Sequence, residues 1–175
     1  KTMGISIDNI CNIIIAITAI AGVYISVTTW KKNTKQQKIK NTTDFIRGTC
    51  EDTNFAKIFQ KIDYSKNWYG QDFHNSDFEI EIDMVLIRYT YFIDLYNNGE
   101  IDTTTTKWLD YEIHRLLTNF DMQAYLFNLM NFTQKINASF PYKSLVEYGK
   151  KQGVLDGSFF NTELGVKKYG KTLKW

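Results

Sequence analysis

Few side chains in this sequence have the types and the spacing that catalysis requires. Asp110 and His114 lie four residues apart, a spacing that on a helix places a carboxylate beside an imidazole. Such a pair could act as a general base and the group that orients it, in a hydrolase or nuclease. No serine or cysteine nucleophile is indicated nearby, and surface helices often carry this spacing as a weak side-chain pair. The sequence therefore predicts no catalytic residue. The alternative is a hydrolase or nuclease that uses either His114 and Asp110 or the acidic face of Glu79, Asp83 and Asp94.

Metal and cofactor chemistry have little support in the sequence. Residues 94–102 resemble the start of a calcium-binding loop, but Tyr96 and Thr105 stand where an EF-hand needs an oxygen ligand and a glutamate. Two isolated histidines without a cysteine pair do not suggest a zinc site. Glycine-rich phosphate loops and serine-hydrolase motifs do not occur in the chain. We therefore expect neither a metal ion nor a cofactor.

Charged residues on one long predicted helix could bind a partner or stabilise the fold. Glu79, Asp83 and Asp94 return to one helical face, which could bind a cation or a basic partner or could be the solvated side. Glu81 and Arg88 are seven residues apart, on one face and among apolar neighbours. This position predicts a buried ion pair of Arg88 with Glu81 or with another acid.

An uncharged segment precedes these helices in the chain. Residues 10–30 contain no Asp, Glu, Lys or Arg, and about 20 helical residues span a hydrocarbon core of about 30 Å. Trp30 ends the segment, where an amphipathic ring prefers the depth of the lipid headgroups. A transmembrane anchor at residues 1–30 is favoured over a buried core helix or a cleaved signal peptide, because the basic cluster follows the segment. The residues predicted to anchor it are Ile10, Ile13, Ile14, Ile15, Ile17, Ile20, Val23, Ile25, Val27 and Trp30.

Five lysines lie within the ten residues that follow the anchor. A lysine-rich flank stays on the cytoplasmic side, which predicts a single-pass protein of the inner (cytoplasmic) membrane with residues 31–175 in the cytoplasm. Lys31, Lys32, Lys35 and Lys38 would contact anionic lipid or would only orient the anchor. The expected partners are the bilayer and a protein partner or a second copy of the chain. The formal net charge of +2 gives no argument for nucleic acid.

The remaining sequence predicts helices. Hydrophobic residues make up 43% of the chain and proline occurs once, which favours long helices over a β architecture. Ser76 and Glu79 form a capping box that opens a helix ending near Gly99, and Asp102 is the expected cap of the next helix. Further helices are expected over residues 55–62, 109–120, 122–136 and 141–151, with a loop over residues 63–75.

These elements predict an all-α fold, in which an N-terminal transmembrane helix precedes a small antiparallel helical bundle. Short connections between long helices favour antiparallel neighbours. The predicted divisions are an anchor at residues 1–30, a basic juxtamembrane stalk helix at residues 31–50, a bundle at residues 51–152 and a basic, loosely packed tail at residues 153–175.

Residues 43–148 contain three stretches that suggest a relationship. These are Glu81-Ile82-Asp83 at the start of a long helix, the turn from Leu95 to Asp102, and Phe140-Pro141-Tyr142 before the last helix. The layout resembles that of uncharacterised bacterial single-pass membrane proteins with a cytoplasmic helical bundle, some of them associated with phage-defence loci. The resemblance implies a membrane-tethered, non-enzymatic interaction or effector module. It also implies a role in anti-phage defence by abortive infection. It brings no catalytic residues with it.

Overall fold

The computed structural model describes residues 7–101 and 107–171, in which the chain forms seven α-helices and no strand. This confirms the predicted fold class, a long apolar N-terminal helix followed by a helical bundle. The helices are α1 (Ile7–Cys50), α2 (Thr53–Tyr64), α3 (Asp77–Asn97), α4 (Lys107–Thr118), α5 (Phe120–Lys135), α6 (Lys143–Lys151) and α7 (Thr162–Tyr169).

Helix α1 is continuous over 44 residues, a length of about 66 Å. Its first half contacts no other helix, whereas its last turns pack on the bundle. Thr42 and Thr49 are buried there, and the rings of Phe45 and Phe92 lie 4.6 Å apart. The predicted stalk is therefore helical, but its C-terminal half belongs to the bundle, which begins near residue 41 rather than at residue 51.

Helix α3 lies against α6 and α2, and it supplies much of the core. Its sequence is apolar nearly all round, which predicts a helix enclosed by others. The structure differs, because only part of its apolar surface is covered. Ile80, Met84, Ile87 and Tyr91 face solvent. The α3 residues that pack in the core are Phe78, Ile82, Val85, Leu86, Tyr89, Phe92 and Ile93.

Both ends of α3 are formed as predicted. The Ser76 hydroxyl accepts a hydrogen bond from the Glu79 backbone N–H at 3.2 Å, and the Glu79 carboxylate reaches back to the Asn75 N–H at 2.6 Å. Gly99 has a φ of +68°, a left-handed conformation that glycine adopts without strain. The Glu100 N–H then donates to the Leu95 carbonyl at 2.9 Å, which closes the helix end. The predicted cap Asp102 lies outside the described residues.

The C-terminal segment is not the loosely packed tail that the sequence predicts. Up to residue 171 it folds over α5, and Leu155, Phe159 and Tyr169 are buried. A Cβ atom at Gly165 would lie 2.2 Å from the Phe127 ring, so only glycine permits this close approach of α7 to α5. The prediction was wrong because Gly165 permits close packing of α7 on α5 and because large side chains of this segment enter the core.

Candidate functional site

The apolar half of α1 is bare along its whole length. All ten residues predicted to anchor the chain are between 44% and 71% exposed, so no described part of the bundle covers them. In the described residues this is the one helix long and apolar enough to cross a membrane. A soluble core helix of this composition would be buried, and this segment is not.

Three hydroxyl side chains within this segment, those of Thr18, Ser26 and Thr28, donate to the backbone of the helix itself. The Thr18 hydroxyl donates to the Ile14 carbonyl at 2.9 Å, and the Ser26 hydroxyl donates to the Gly22 carbonyl at 2.8 Å. Such bonds from a hydroxyl to the preceding turn need no water. These three hydroxyls are therefore compatible with hydrocarbon, because they need no partner outside the helix.

A groove of about 380 Å³ lies beside α1 at the C-terminal end of the uncharged segment. One wall is the α1 surface from Trp30 to Lys38, including Lys31 and Lys35, and the other wall contains Gly99 and Ile101. Nothing in the sequence pattern indicates that the turn after α3 lies beside Trp30. The groove therefore brings three of the four predicted lipid-contacting lysines to one surface. The fourth, Lys32, is exposed outside it.

Lys31, Lys32, Lys35 and Lys38 form no ion pair within residues 7–101 and 107–171. By contrast, basic residues elsewhere in the bundle, such as Arg115, pair with carboxylates of the same chain. The basic turns of α1 thus have charge available for an anionic surface.

The predicted acidic face of α3 is divided by the fold. Glu79 is bonded to His74, with its Oε1 at 2.7 Å from the imidazole Nδ1, and it also caps the helix. The Asp83 carboxylate accepts hydrogen bonds from the hydroxyls of Tyr125 and Tyr142, both at 2.7 Å. Only Asp94 is exposed. Glu79 and Asp83 therefore hold the bundle together, and the three residues do not form one partner-binding surface.

The two tyrosines on Asp83 are strongly perturbed. Burial raises the pKa of the Tyr125 hydroxyl and of the Tyr142 hydroxyl well above the usual range, and the hydrogen bond to Asp83 raises both further. A neutral hydroxyl donates to the carboxylate, whereas a phenolate would face a second negative charge in a buried site. Asp83 thus joins α3, α5 and the start of α6 through protonated tyrosines.

Arg88 forms its ion pair with a different acid from the predicted one. Its Nη2 lies 3.3 Å from Asp52 Oδ2, its Nη1 donates to the Gly48 carbonyl at 3.3 Å, and its guanidinium lies over the Phe55 ring. The named partner Glu81 is wrong, whereas the alternative of another acid is right, because the end of α1 and the start of α2 lie beside Arg88. The Arg88 and Asp52 side chains are also partly exposed, at 28% and 29%.

Asp110 and His114, the alternative catalytic pair, line one small pocket of about 170 Å³ together with Tyr148 and Gln152. The Tyr148 hydroxyl donates to Asp110 Oδ1 at 2.6 Å. Burial and this hydrogen bond raise the pKa of Tyr148 above its usual range. No serine or cysteine lines the pocket, and in the described part of the chain no three His, Cys, Asp or Glu residues are grouped to hold a metal ion. Among the described residues, the pocket therefore has a carboxylate and an imidazole but no serine or cysteine nucleophile.

No protein family, curated protein or solved structure matches this chain. The resemblance to single-pass membrane proteins with a helical bundle therefore stays a prediction. The functional proposal depends on the exposed segment of α1, the groove beside it and the contacts of α3.

Proposed function

We propose that this protein is a membrane-tethered, non-enzymatic interaction module, with α1 crossing the bilayer and the bundle on the cytoplasmic face. The observation that carries the proposal is the division of α1 into two halves. From Ile10 to Trp30 the helix is uncharged and bare, whereas Thr42, Phe45 and Thr49 of the same continuous helix pack on the bundle. A bilayer would cover the uncharged half of α1. The bundle already covers the face of the second half that packs on it.

The size of the uncovered surface supports this assignment. Complete transfer of an Ile or Val side chain out of water is favourable by about 1.5–3 kcal/mol. Nine aliphatic anchor residues, each about half exposed, would thus gain on the order of 10 kcal/mol from a hydrocarbon environment. This free energy is comparable to the whole stability of a small domain, so water is an unfavourable environment for the segment.

The charge that follows the segment supports the orientation. Lysines on the first polar turns favour the cytoplasmic side and attract anionic headgroups, each by about 1 kcal/mol near the surface. The groove between Trp30 and Ile101 begins at the end of the uncharged segment. The turn after α3 would therefore lie close to the headgroups, and the bundle would rest near the membrane surface.

The tether is tested by membrane fractionation of the full chain and of a variant with Ile17→Lys and Ile20→Lys. A lysine at the centre of a transmembrane helix costs about 2.5–3.5 kcal/mol on insertion scales, so this pair should move the chain out of the carbonate-resistant pellet. Ile39→Lys is the matched control, since Ile39 is an exposed residue of the same helix outside the uncharged segment. A wild-type chain that is extracted by carbonate would contradict the proposal.

Orientation is tested by labelling a single cysteine placed at Tyr64, which is 82% exposed, in a chain with Cys11→Ser and Cys50→Ser. A thiol reagent that does not cross membranes should label Tyr64→Cys only after the inner membrane is opened. Labelling of intact spheroplasts would reverse the orientation.

The biological setting follows from the resemblance alone, and we propose an effector of anti-phage defence that acts by abortive infection. Plaque counts on cells that express the chain test this setting, with the Ile17→Lys and Ile20→Lys variant as the control without a tether. Equal plaque counts with and without the chain would count against it.

The alternative is a membrane-anchored hydrolase or nuclease, favoured by the pocket that contains His114 and Asp110. His114→Ala should leave the activity of an interaction module intact and abolish that of an enzyme.

A further inference from the structure

Helix α3 carries an unpartnered row of apolar side chains, here called the apolar stripe: Ile80, Met84, Ile87 and Tyr91. Each is between 56% and 61% exposed, although the opposite side of the helix is buried in the bundle. The four residues follow one another at separations of four, three and four. They therefore form one continuous line on the helix surface.

These separations are those of a coiled-coil seam. Apolar residues that alternate at three and four positions occupy the a and d sites of a heptad, which face a partner helix. With Met84 at an a site, Ile80 and Ile87 are d sites and Tyr91 is the next a site. The b, c and f sites would be residues such as Val85, Leu86 and Tyr89, which are buried in the bundle. One side of α3 thus belongs to the bundle, and the other side has the pattern of a second interface.

The contacts of α3 fix its direction relative to α1. The Asn41 amide donates to the Glu100 carbonyl at 3.3 Å, and the Gly48 carbonyl accepts from Arg88. Residue numbers rise along α1 as they fall along α3, so the two helices are antiparallel. If α1 crosses the bilayer, which is the proposed function on which this step rests, α3 stands roughly along the membrane normal. Its stripe then faces sideways over the membrane and cannot lie on the lipid surface.

Copies of a chain anchored in one membrane all have the same direction. Their α3 helices can therefore meet only in the parallel orientation, by a two-fold axis along the membrane normal. In a parallel coiled coil, a residue at a g site faces the e site five residues later on the partner. Asp83 is at a g site and Arg88 is at the following e site, so an acid of one chain would face a base of the other, twice by symmetry.

Both groups have hydrogen-bonding capacity for such a contact. Asp83 uses Oδ1 for the hydroxyls of Tyr125 and Tyr142, and a carboxylate has two oxygens. Arg88 uses one bond each from Nη1 and Nη2, whereas a guanidinium has five N–H donors. The charges beside the stripe are therefore complementary to those of a second copy.

We propose that the apolar stripe is the seam of a parallel homodimer, in which two copies of the chain pair through α3 beside the membrane. A seam of four residues on each helix would be weak between molecules free in solution. Confinement to one membrane raises the effective concentration of the partner without any further contact. The tether and the seam would therefore act together.

The seam is tested by disulfide cross-linking in membranes that contain the full chain with Cys11→Ser and Cys50→Ser. Met84→Cys should give a disulfide-linked dimer on mild oxidation, because a two-fold axis places the two copies of an a site opposite each other. Tyr64→Cys, exposed and distant in sequence from the stripe, is the control and should remain monomeric. A Met84→Cys chain that remains monomeric would overturn the proposal.

The direction of pairing is tested by co-expression of differently tagged Ile80→Cys and Tyr91→Cys chains. A parallel seam links each variant to itself and does not link the two variants to each other, whereas an antiparallel seam links Ile80→Cys to Tyr91→Cys. The mixed dimer as the main product would overturn the parallel arrangement.

The charge pair is tested by Arg88→Glu in the Met84→Cys chain, which should lower the yield of dimer several-fold by placing two acids together. Asp52→Asn is the matched control. It removes the ion pair of Arg88 within the chain, keeps a residue that caps α2, and should leave the yield unchanged. Equal yields for Arg88→Glu and the parent would refute the role of the charges.

The same membranes separate this inference from the proposed function. A chain that stays in the carbonate-resistant pellet as a monomer overturns the seam and leaves the tether standing. A chain in the soluble fraction overturns the tether. The requirement for a parallel pair then falls as well, whatever the yield of disulfide-linked dimer from Met84→Cys.

Discussion

Replacing Asp83 by alanine decides whether this residue is a surface acid or a structural centre. Its carboxylate accepts two hydrogen bonds, both 2.7 Å long, from the hydroxyls of the buried Tyr125 and Tyr142. A hydrogen bond to a charged group contributes about 1.5–3 kcal/mol, and Asp83→Ala removes the acceptor of both hydroxyls. We therefore expect the free energy of unfolding to fall by about 3–6 kcal/mol, from two bonds of this strength.

The assay is urea unfolding of the full chain in mild detergent. Unfolding is monitored by tryptophan fluorescence and by far-ultraviolet circular dichroism. Asp94→Ala is the matched control, because Asp94 lies on the same helix and the sequence assigns both residues to one face. Asp94 is exposed and takes no part in the two hydrogen bonds from the tyrosines. Its replacement should therefore change the free energy of unfolding by less than about 0.5 kcal/mol. Equal effects of the two substitutions would refute the structural role of Asp83.

Two further predictions concern the same core and the C-terminal segment. Burial holds the pKa of Tyr125 and of Tyr142 above the value of the unfolded chain, so their contribution is fully present below about pH 10 and is lost as the pH rises further. Urea unfolding from pH 9.5 to pH 11.5 should show a loss of about 1.4 kcal/mol per pH unit for each tyrosine above pH 10, and a flat profile would contradict it. Gly165→Ala should destabilise the fold by about 1–3 kcal/mol, because its methyl group meets the Phe127 ring. Gly157→Ala, which meets nothing within 4 Å, is the control in the same unfolding assay.

Features governed by local sequence could be predicted. The cap at Ser76 and the turn at Gly99 depend on neighbouring residues and on backbone conformation, and both are formed as expected. The uncharged segment before Trp30 could be recognised for the same reason, since its length and composition are read directly from the chain. Local rules therefore account for helix ends and for the bare half of α1.

Contacts between distant residues could not be predicted. Arg88 pairs with Asp52 because the end of α1 reaches it, and no spacing within α3 indicates this. Asp83 has the same sequence pattern as Asp94, yet only Asp83 lies under two tyrosines from α5 and the start of α6.

The apolar sequence pattern of α3 also did not indicate which side of the helix is exposed. A helix that is apolar nearly all round has no polar face to mark which residues stay in water. Only the packing of α2 and α6 distinguishes Ile82, which is fully buried, from Ile80, which is 61% exposed.

Helix α1 passes from its bare half into the bundle without a break. In the proposed membrane-spanning arrangement it would therefore act as a rigid lever. Transmembrane helices tilt by about 20° on average, and the tilt adjusts to the thickness of the surrounding bilayer. The 20 residues between Trp30 and Cys50 extend about 30 Å, so a change in tilt of about 20° would swing the far end of the helix sideways by about 10 Å. A change in bilayer thickness would thus displace the whole bundle sideways over the membrane.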